Sequence, residues 1–427
     1  MDKFSSPEYK RSRKAVITES AVDYLAMLLV ADAYIAKLLS SIGISDSLVG
    51  IISSFVTLAF IIELASIFIA RKKVGAKKVV TICCTASMLC FTVLYLIPFI
   101  PAGKGIKTAL TIICFLLAYG FKYIISSIRF KWTNSFVSPT GRGVFAATNE
   151  IVSLALGMIF TAVVGYAVDK FIRFDNLSGA FIFIATAMTV LNIGNIICFL
   201  LIKKDEPEED RKKAVPMSEI YANTLKKTGF IKILVLTILY NVAIYFSMGF
   251  IGIYKTKNLM MSMFSIQLIN IIASLARIAV SPAIGRYTDK RTYEKGMMLG
   301  LYFAAIAYFV NIFTTSDSWY LIIVFTILQN CSHAGLAANS TNILYAHVDI
   351  KYLTYAVALK NCISGIMGFI ASIAGGLLLE AIQSKNNCIF GVQIYGQQIL
   401  SSITFILLIA TIIFLDRALI RPRERKN

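Results

Sequence analysis

The sequence predicts an all-α integral membrane protein: twelve transmembrane helices in two six-helix halves, with both termini cytoplasmic. Three observations predict it. Apolar runs near the ~20 residues that a helix needs to cross a bilayer recur along the whole chain. Charged residues are only 15% of the 427 and the mean hydropathy is +0.74, where a soluble domain carries roughly 25% charge. Lys and Arg crowd into alternate loops, the pattern that marks the cytoplasmic side.

Each observation excludes something. A soluble fold of this length cannot hide a chain that is 57% hydrophobic, because its surface shrinks too slowly with size. Strands of alternating polarity are absent, which argues against a β-barrel. The net charge of +19 would suggest nucleic acid in a soluble protein, but here the basic residues lie between apolar runs. Seven of the eight cysteines (Cys83, Cys84, Cys90, Cys114, Cys198, Cys331, Cys362) lie inside apolar runs and Cys388 in a loop. With no CxxC, neither a disulfide framework nor a zinc site is indicated. The first apolar run is too long, and with Asp32 and Lys37 too charged, for a cleavable signal.

The runs place helices near 18–43, 47–70, 79–100, 106–130, 146–168, 179–202, 230–254, 259–284, 297–314, 319–345, 354–382 and 397–416. The loops assigned to the cytoplasm hold Arg71, Lys72, Lys73, Lys77, Lys78, Arg129, Lys131, Arg142, Arg286, Lys290, Arg291, Lys295 and Lys351, with Arg421, Arg423, Arg425 and Lys426 at the end. The opposite loops hold only Lys104, Lys107, Lys170, Arg173, Lys255, Lys257 and Lys385. The polar segment 203–229, with KKDEPEEDRKK, separates a first half at 1–202 from a second at 230–427. Its part Met217–Lys227 reads either as an amphipathic helix on the membrane surface or as a solvated tether.

The halves look like weak repeats. SLALGMIFTAVVGYAVDKF parallels SGIMGFIASIAGGLLLEAI, which sets Gly165 opposite Gly375. At nearly the same offset Asp32 falls opposite Asn241, and Gly120 opposite Gly335. Such duplication is common among transporters.

The segment GRYTDKRTYEKG, Gly285 to Gly296, resembles the loop signature of the major facilitator superfamily, a family of twelve-helix secondary transporters. Gly285, Asp289 and Lys290 match; Thr292 replaces a second glycine, and the corresponding ARKKVGAKK keeps Gly75 but lacks the acid. The second half is also similar to transporter-like proteins of Gram-positive anaerobes. The resemblance implies the superfamily fold and alternating access, but no particular solute. Gly285 is expected in a tight turn and Asp289 at the positive end of a helix; a solvated turn held by surface charge is the competing reading.

Ionisable groups inside membrane helices are costly and therefore candidates for function. Glu63, Glu150, Arg277 and Lys360 each lie about eight residues, roughly 12 Å, from a basic loop. The repeat register sets Glu63 opposite Arg277 and Glu150 opposite Lys360. The resemblance would then pair Glu63 with Lys360 and Glu150 with Arg277 as a cytoplasmic gate. Alternatively each group snorkels or pairs within its own half, such as Glu150 with Lys122 or Arg129. Asp32 sits mid-helix beside Ala31 and Ala33, where desolvation disfavours a charge. It reads as a proton-coupling or substrate carboxylate, or as one structurally paired, with Lys37 five residues on. LQNCSHAGLAANSTN is the most polar helix. There Gln329 and His333 are candidates for a substrate cavity, against ordinary hydrogen bonding between helices. Lys122 and Asn241 complete the cavity candidates.

A secondary transporter is the main reading. Its expected partners are a small-molecule solute, protons or another coupling ion, and the lipid bilayer, with no nucleic acid, cofactor or metal. It is read as a monomer in the plasma membrane. A primary pump would need a GxxxxGK(S/T) loop, which does not occur. A membrane enzyme would need clustered acids, bases or ligands, and neither His333 nor His347 has a carboxylate at short spacing. The alternative is a receptor, scaffold or lipid translocator of the same fold.

Overall fold

The computed structural model describes residues 4, 6–69, 75–138, 141–203, 219, 224–337, 339–345, 347–389 and 392–424. Among the described residues sixteen principal helices form: α1 Pro7–Leu29, α2 Asp32–Ser41, α3 Asp46–Ser53, α4 Ala59–Ile69, α5 Ala76–Leu94, α6 Lys104–Ile124, α7 Ser126–Asn134, α8 Arg142–Arg173, α9 Leu177–Leu201, α10 Thr228–Tyr245, α11 Met263–Lys290, α12 Tyr293–Ile312, α13 Leu321–Leu336, α14 Asn339–Tyr345, α15 Ile350–Gln383 and α16 Gly396–Leu415. Short helical turns fill several of the gaps. Cys388–Ile389 and Val392–Gln393 form a two-residue antiparallel ladder.

Local chemistry sets several helix starts. The side chains of Ser6, Ser45, Asn176 and Thr292 accept the orphan amides of α1, α3, α9 and α12, as N-caps do. Five helices expected to run unbroken are interrupted. The first divides into α1 and α2 at Val30–Ala31, and Asp32 takes φ 45, the left-handed region that few side chains other than Asn and Asp tolerate. The second divides at Ser54, whose hydroxyl bonds back to Gly50 O at 3.1 Å, a contact that bends helices. The fourth breaks at Ile125, the seventh after Tyr245, and the tenth between α13 and α14.

Among the described residues ten helices are long and apolar enough to cross a membrane, with the shorter apolar α13 beside them. α1 is absent from that set because it is charged along its length, from Glu8 and Lys10 to Glu19 and Asp23. Large apolar side chains stand exposed on many of these helices, among them Ile106, Ile159, Val190, Leu200, Leu377 and Ile406. A soluble protein does not carry such a surface; a multi-pass membrane protein turns it to lipid.

The chain packs as two compact units. The first comprises Met1–Ile44, Ile62–Ala214 and Ser262–Gln267; the second comprises Ser45–Ile61, Val215–Met261 and Leu268–Asn427. In the first, α1 lies against α8 and α9, and α5 against α6 and α9. Trp132 stacks on Phe199 with centroids 6.2 Å apart, beside buried Tyr9, Val80 and Ile125. In the second, α12 packs on α13 and α16, and α10 on α15 and α16. Its core holds Phe230, Leu301, Tyr308 and Phe325. Segment Met217–Lys227 and the KKDEPEEDRKK run fall largely outside the described residues, as do Arg71, Lys72, Lys73, Arg425 and Lys426.

Candidate functional site

A cluster of four partly or wholly buried charges lies in the first unit. Glu19 and Asp23 are four residues apart and share a face of α1. Facing them are Lys122, in the last turn of α6, and Arg129 of α7. Arg129 Nη2 donates to both Glu19 oxygens at 2.8 and 3.0 Å, and Nη1 donates to Asp23 Oδ2 at 3.1 Å. Lys122 Nζ donates to both Asp23 oxygens at 2.8 and 2.9 Å. The Glu19 side chain is wholly buried, whereas Asp23 and Lys122 stay 18% and 19% exposed.

The network has two acids and two bases, so it buries no net charge. Removing one partner would strand an uncompensated ion, which is far costlier than keeping the pair. Arg129, itself 20% exposed, reaches inward so that its Nη2 holds both oxygens of the wholly buried Glu19. Asp23, Lys122 and Arg129 are each about one-fifth exposed, so Glu19 is the fully enclosed member of the four.

The sequence marks Lys122 as a cavity candidate without pointing to Asp23 as its partner. It passed over Glu19 and put Arg129 in a loop. Lys122 and Arg129 both bond to α1, whereas the sequence offered Glu150 for either. A signal existed: two acids at i, i+4 in an apolar helix require cations elsewhere.

The other candidates lie on α2, α4, α8, α10, α11, α13 and α15. Asp32 lies at the start of α2, partly buried, and Lys37 is partly buried one turn further on. Asn241 is partly buried on α10, where Gly368 of α15 lets that helix approach: a Cβ on Gly368 would sit 3.5 Å from Asn241 Cβ. His333 is partly buried and within electrostatic reach of Arg277. Gln329 is 7% exposed and neither amide atom finds a partner. It lies on the α13 face that packs on α12, between Phe325, which meets Tyr308, and Ser332, which borders Gly300. Glu63 and Arg277 are partly buried and Glu150 is exposed. Lys360 is 3% exposed and donates to Ser340 O at 3.3 Å.

The loop signature needs a correction. Gly285, Asp289 and Lys290 belong to α11, which continues to Lys290, and all three are exposed. Gly285 makes no tight turn; a Cβ there would meet nothing within 4 Å. The next helix is capped by Thr292, which accepts from Lys295 N, and not by Asp289. The buried face runs on from Ile284, 3% exposed, to Thr288, 7% exposed, one turn past the predicted end.

The sequence profile of the Major Facilitator Superfamily matches residues 233–427. Among curated proteins none matches. In fold, the chain is similar to the crystal structure of a mutant of the nucleoside transporter NupG, with a TM-score of 0.72 at 11% identity over 94% of this chain and 99% of that one. It is also similar to the POT family transporter PepTSo, with a TM-score of 0.67 at 12% identity over 98% and 99%. A bacterial homolog of the human lysosomal transporter Spinster gives 0.66 at 12% over 96% and 95%. The chain is therefore a multi-pass membrane protein that resembles the transporters of the Major Facilitator Superfamily, in sequence over 233–427 and in fold over nearly its whole length.

Proposed function

We propose that the protein is a secondary active transporter that moves a small solute by alternating access. The observation that carries this reading is the four-charge network of Glu19, Asp23, Lys122 and Arg129, set among helices long and apolar enough to cross a membrane. Ions are kept at such depth where they bind or relay something. The similarity to transporters of solved structure supports the reading. The solutes of those transporters differ, from nucleosides to metals, so the fold does not choose the solute.

In this reading the broken α1–α2 and α13–α14 are the first and tenth of twelve spans, both termini face the cytoplasm, and the halves are 1–202 and 230–427. The protein works as a monomer in the plasma membrane. Glu63–Lys360 and Glu150–Arg277 serve as gate pairs. Asp32, Lys37, Asn241, His333 and Gln329 remain proposed cavity residues beside Asp23 and Lys122. Proton coupling runs through Asp32 or through Asp23, and mutation separates the two.

The test is uptake of a mixed solute pool into proteoliposomes, read by mass spectrometry, with and without an inward proton gradient. At least one solute is expected to accumulate with the gradient and not without it. Asp23→Asn or Asp32→Asn should remove the pH dependence, whichever residue couples. A variant that keeps the wild-type pH dependence excludes its residue, and a pool from which nothing is taken up counts against transport.

A further inference from the structure

Asp46 is neutralised differently from the acids of the first unit. It opens α3, and its side chain is 8% exposed. The Lys257 ammonium donates to its two oxygens at 2.9 and 3.1 Å, yet the Lys257 side chain is 60% exposed. An enclosed carboxylate is thus matched by a cation that stands mostly in water. Arg129, which holds Glu19, is only 20% exposed. A lysine as exposed as Lys257 gains little from its ion pair and gives up rotamer freedom to keep it.

Asp46 also lines a small hollow that lies wholly within the second unit. Gln383, the last residue of α15, lines it too and donates its side-chain amide to Asp46 at 2.9 Å. That bond steadies the carboxylate and leaves the Gln383 carbonyl oxygen as an acceptor. Tyr254 and Tyr395 meet edge-on in the wall, with centroids 6.1 Å apart, and the face of a tyrosine ring attracts a cation. Phe250, Ile253 and Leu379, all buried, form the apolar part of the lining. None of the residues proposed for transport lines the hollow.

These groups suit a narrow class of ligand. An enclosed carboxylate calls for a cation. Among the described residues no group of His, Cys, Asp and Glu could hold a metal ion, which favours an organic cation. The position of Lys257 Nζ shows that an ammonium fits against both Asp46 oxygens. A ligand ammonium in that position displaces Lys257 into water, where most of its side chain already stands.

We propose that the hollow is a binding site for a small primary ammonium compound, and that Lys257 is a tethered occupant which the ligand replaces on Asp46. The ligand's N–H groups match those of the lysine. Its charge is met by the carboxylate and the tyrosine faces, and a short alkyl stem lies on the apolar lining. Because ligand and Lys257 compete for one carboxylate, shortening the lysine strengthens binding. Removing a residue that only held the fold together would have the opposite effect.

The test titrates n-propylammonium into the full chain in nanodiscs of zwitterionic lipid, read by saturation-transfer NMR on the ligand. A fixed excess of sodium chloride excludes a signal that any bare monovalent cation could give, and empty nanodiscs correct for lipid. Wild type is expected to bind saturably, in the roughly millimolar range that a short tether sets for a competitor. Lys257→Ala should tighten binding about fivefold, the factor withheld by an ion pair at the strong end of the exposed range. Lys257→Arg should weaken it, because a guanidinium grips a carboxylate with two parallel bonds. Lys385→Ala removes an exposed charge just past α15 and should leave binding as in wild type. Asp46→Asn should abolish binding. Thermal melting shows whether that variant is folded; if it is not, the ranking of Lys257→Ala above wild type and wild type above Lys257→Arg decides. The site is overturned if folded Lys257→Ala binds no more tightly than wild type, if Lys385→Ala tightens binding as much, or if folded Asp46→Asn still binds. Binding is measured without transport, so the transporter reading and the ammonium site can each fail alone.

Discussion

Gly335→Val is expected to prevent the second unit from packing. Gly335 sits where α13 crosses α12. A Cβ there would lie 2.8 Å from Gly300 N, 2.9 Å from Gly296 O and 2.9 Å from Gly300 Cα. All three are backbone atoms, so no side chain can turn aside. The helices would have to separate, pulling Tyr308 from Phe325, whose rings meet edge-on at 5.3 Å. Apolar side chains gain little by leaving lipid for another helix, so close packing of small residues holds such a bundle together. Overpacking a core typically costs 1–3 kcal/mol; with backbone on every side, the cost here should be roughly 3 kcal/mol or more. The monodisperse fraction on size exclusion in detergent should collapse, and the melting temperature should fall. A Gly335→Val protein that melts like wild type would show that the α12–α13 contact is looser than described.

Arg129→Leu should be nearly as damaging, through electrostatics. Arg129 bonds both oxygens of the wholly buried Glu19, and it also bonds Asp23. Removing one member of a buried pair costs roughly 3–5 kcal/mol, because the other ion is left unpaired. Glu19→Leu alone should also destabilise, though less, since Arg129 keeps Asp23. The double variant Glu19→Leu/Arg129→Leu should regain much of the loss, as Asp23 retains Lys122 and two apolar side chains replace the buried pair. Melting of the four proteins gives the coupling directly. If the double variant is no more stable than the sum of the two losses, the pair is not a unit.

The fold was legible wherever it followed from composition in short windows. Runs such as Leu177–Leu201 and Gly396–Leu415 announce themselves as membrane helices because they are apolar on every side. The interruptions were less legible. Nothing in the apolar pattern around Asp32 marks a break, since the turn depends on one residue holding φ 45. Gly285 misled in the other direction: a glycine suggested a turn, while its neighbours kept the helix going to Lys290.

The sequence by itself determined the membrane class, the large helices and the charged residues that must find partners, because an apolar run's length and an ion's cost in lipid need no knowledge of neighbours. Only the tertiary structure decided the partners. Glu19 meets Arg129 across 110 positions, and Asp46 meets Gln383 across 337. No periodicity links such residues. Which cation reaches which carboxylate depends on helix breaks at Ile125 and Val30, and on glycines that set how closely helices approach. A bond of 2.8 Å is fixed by that approach, and a sequence records it only as residues far apart.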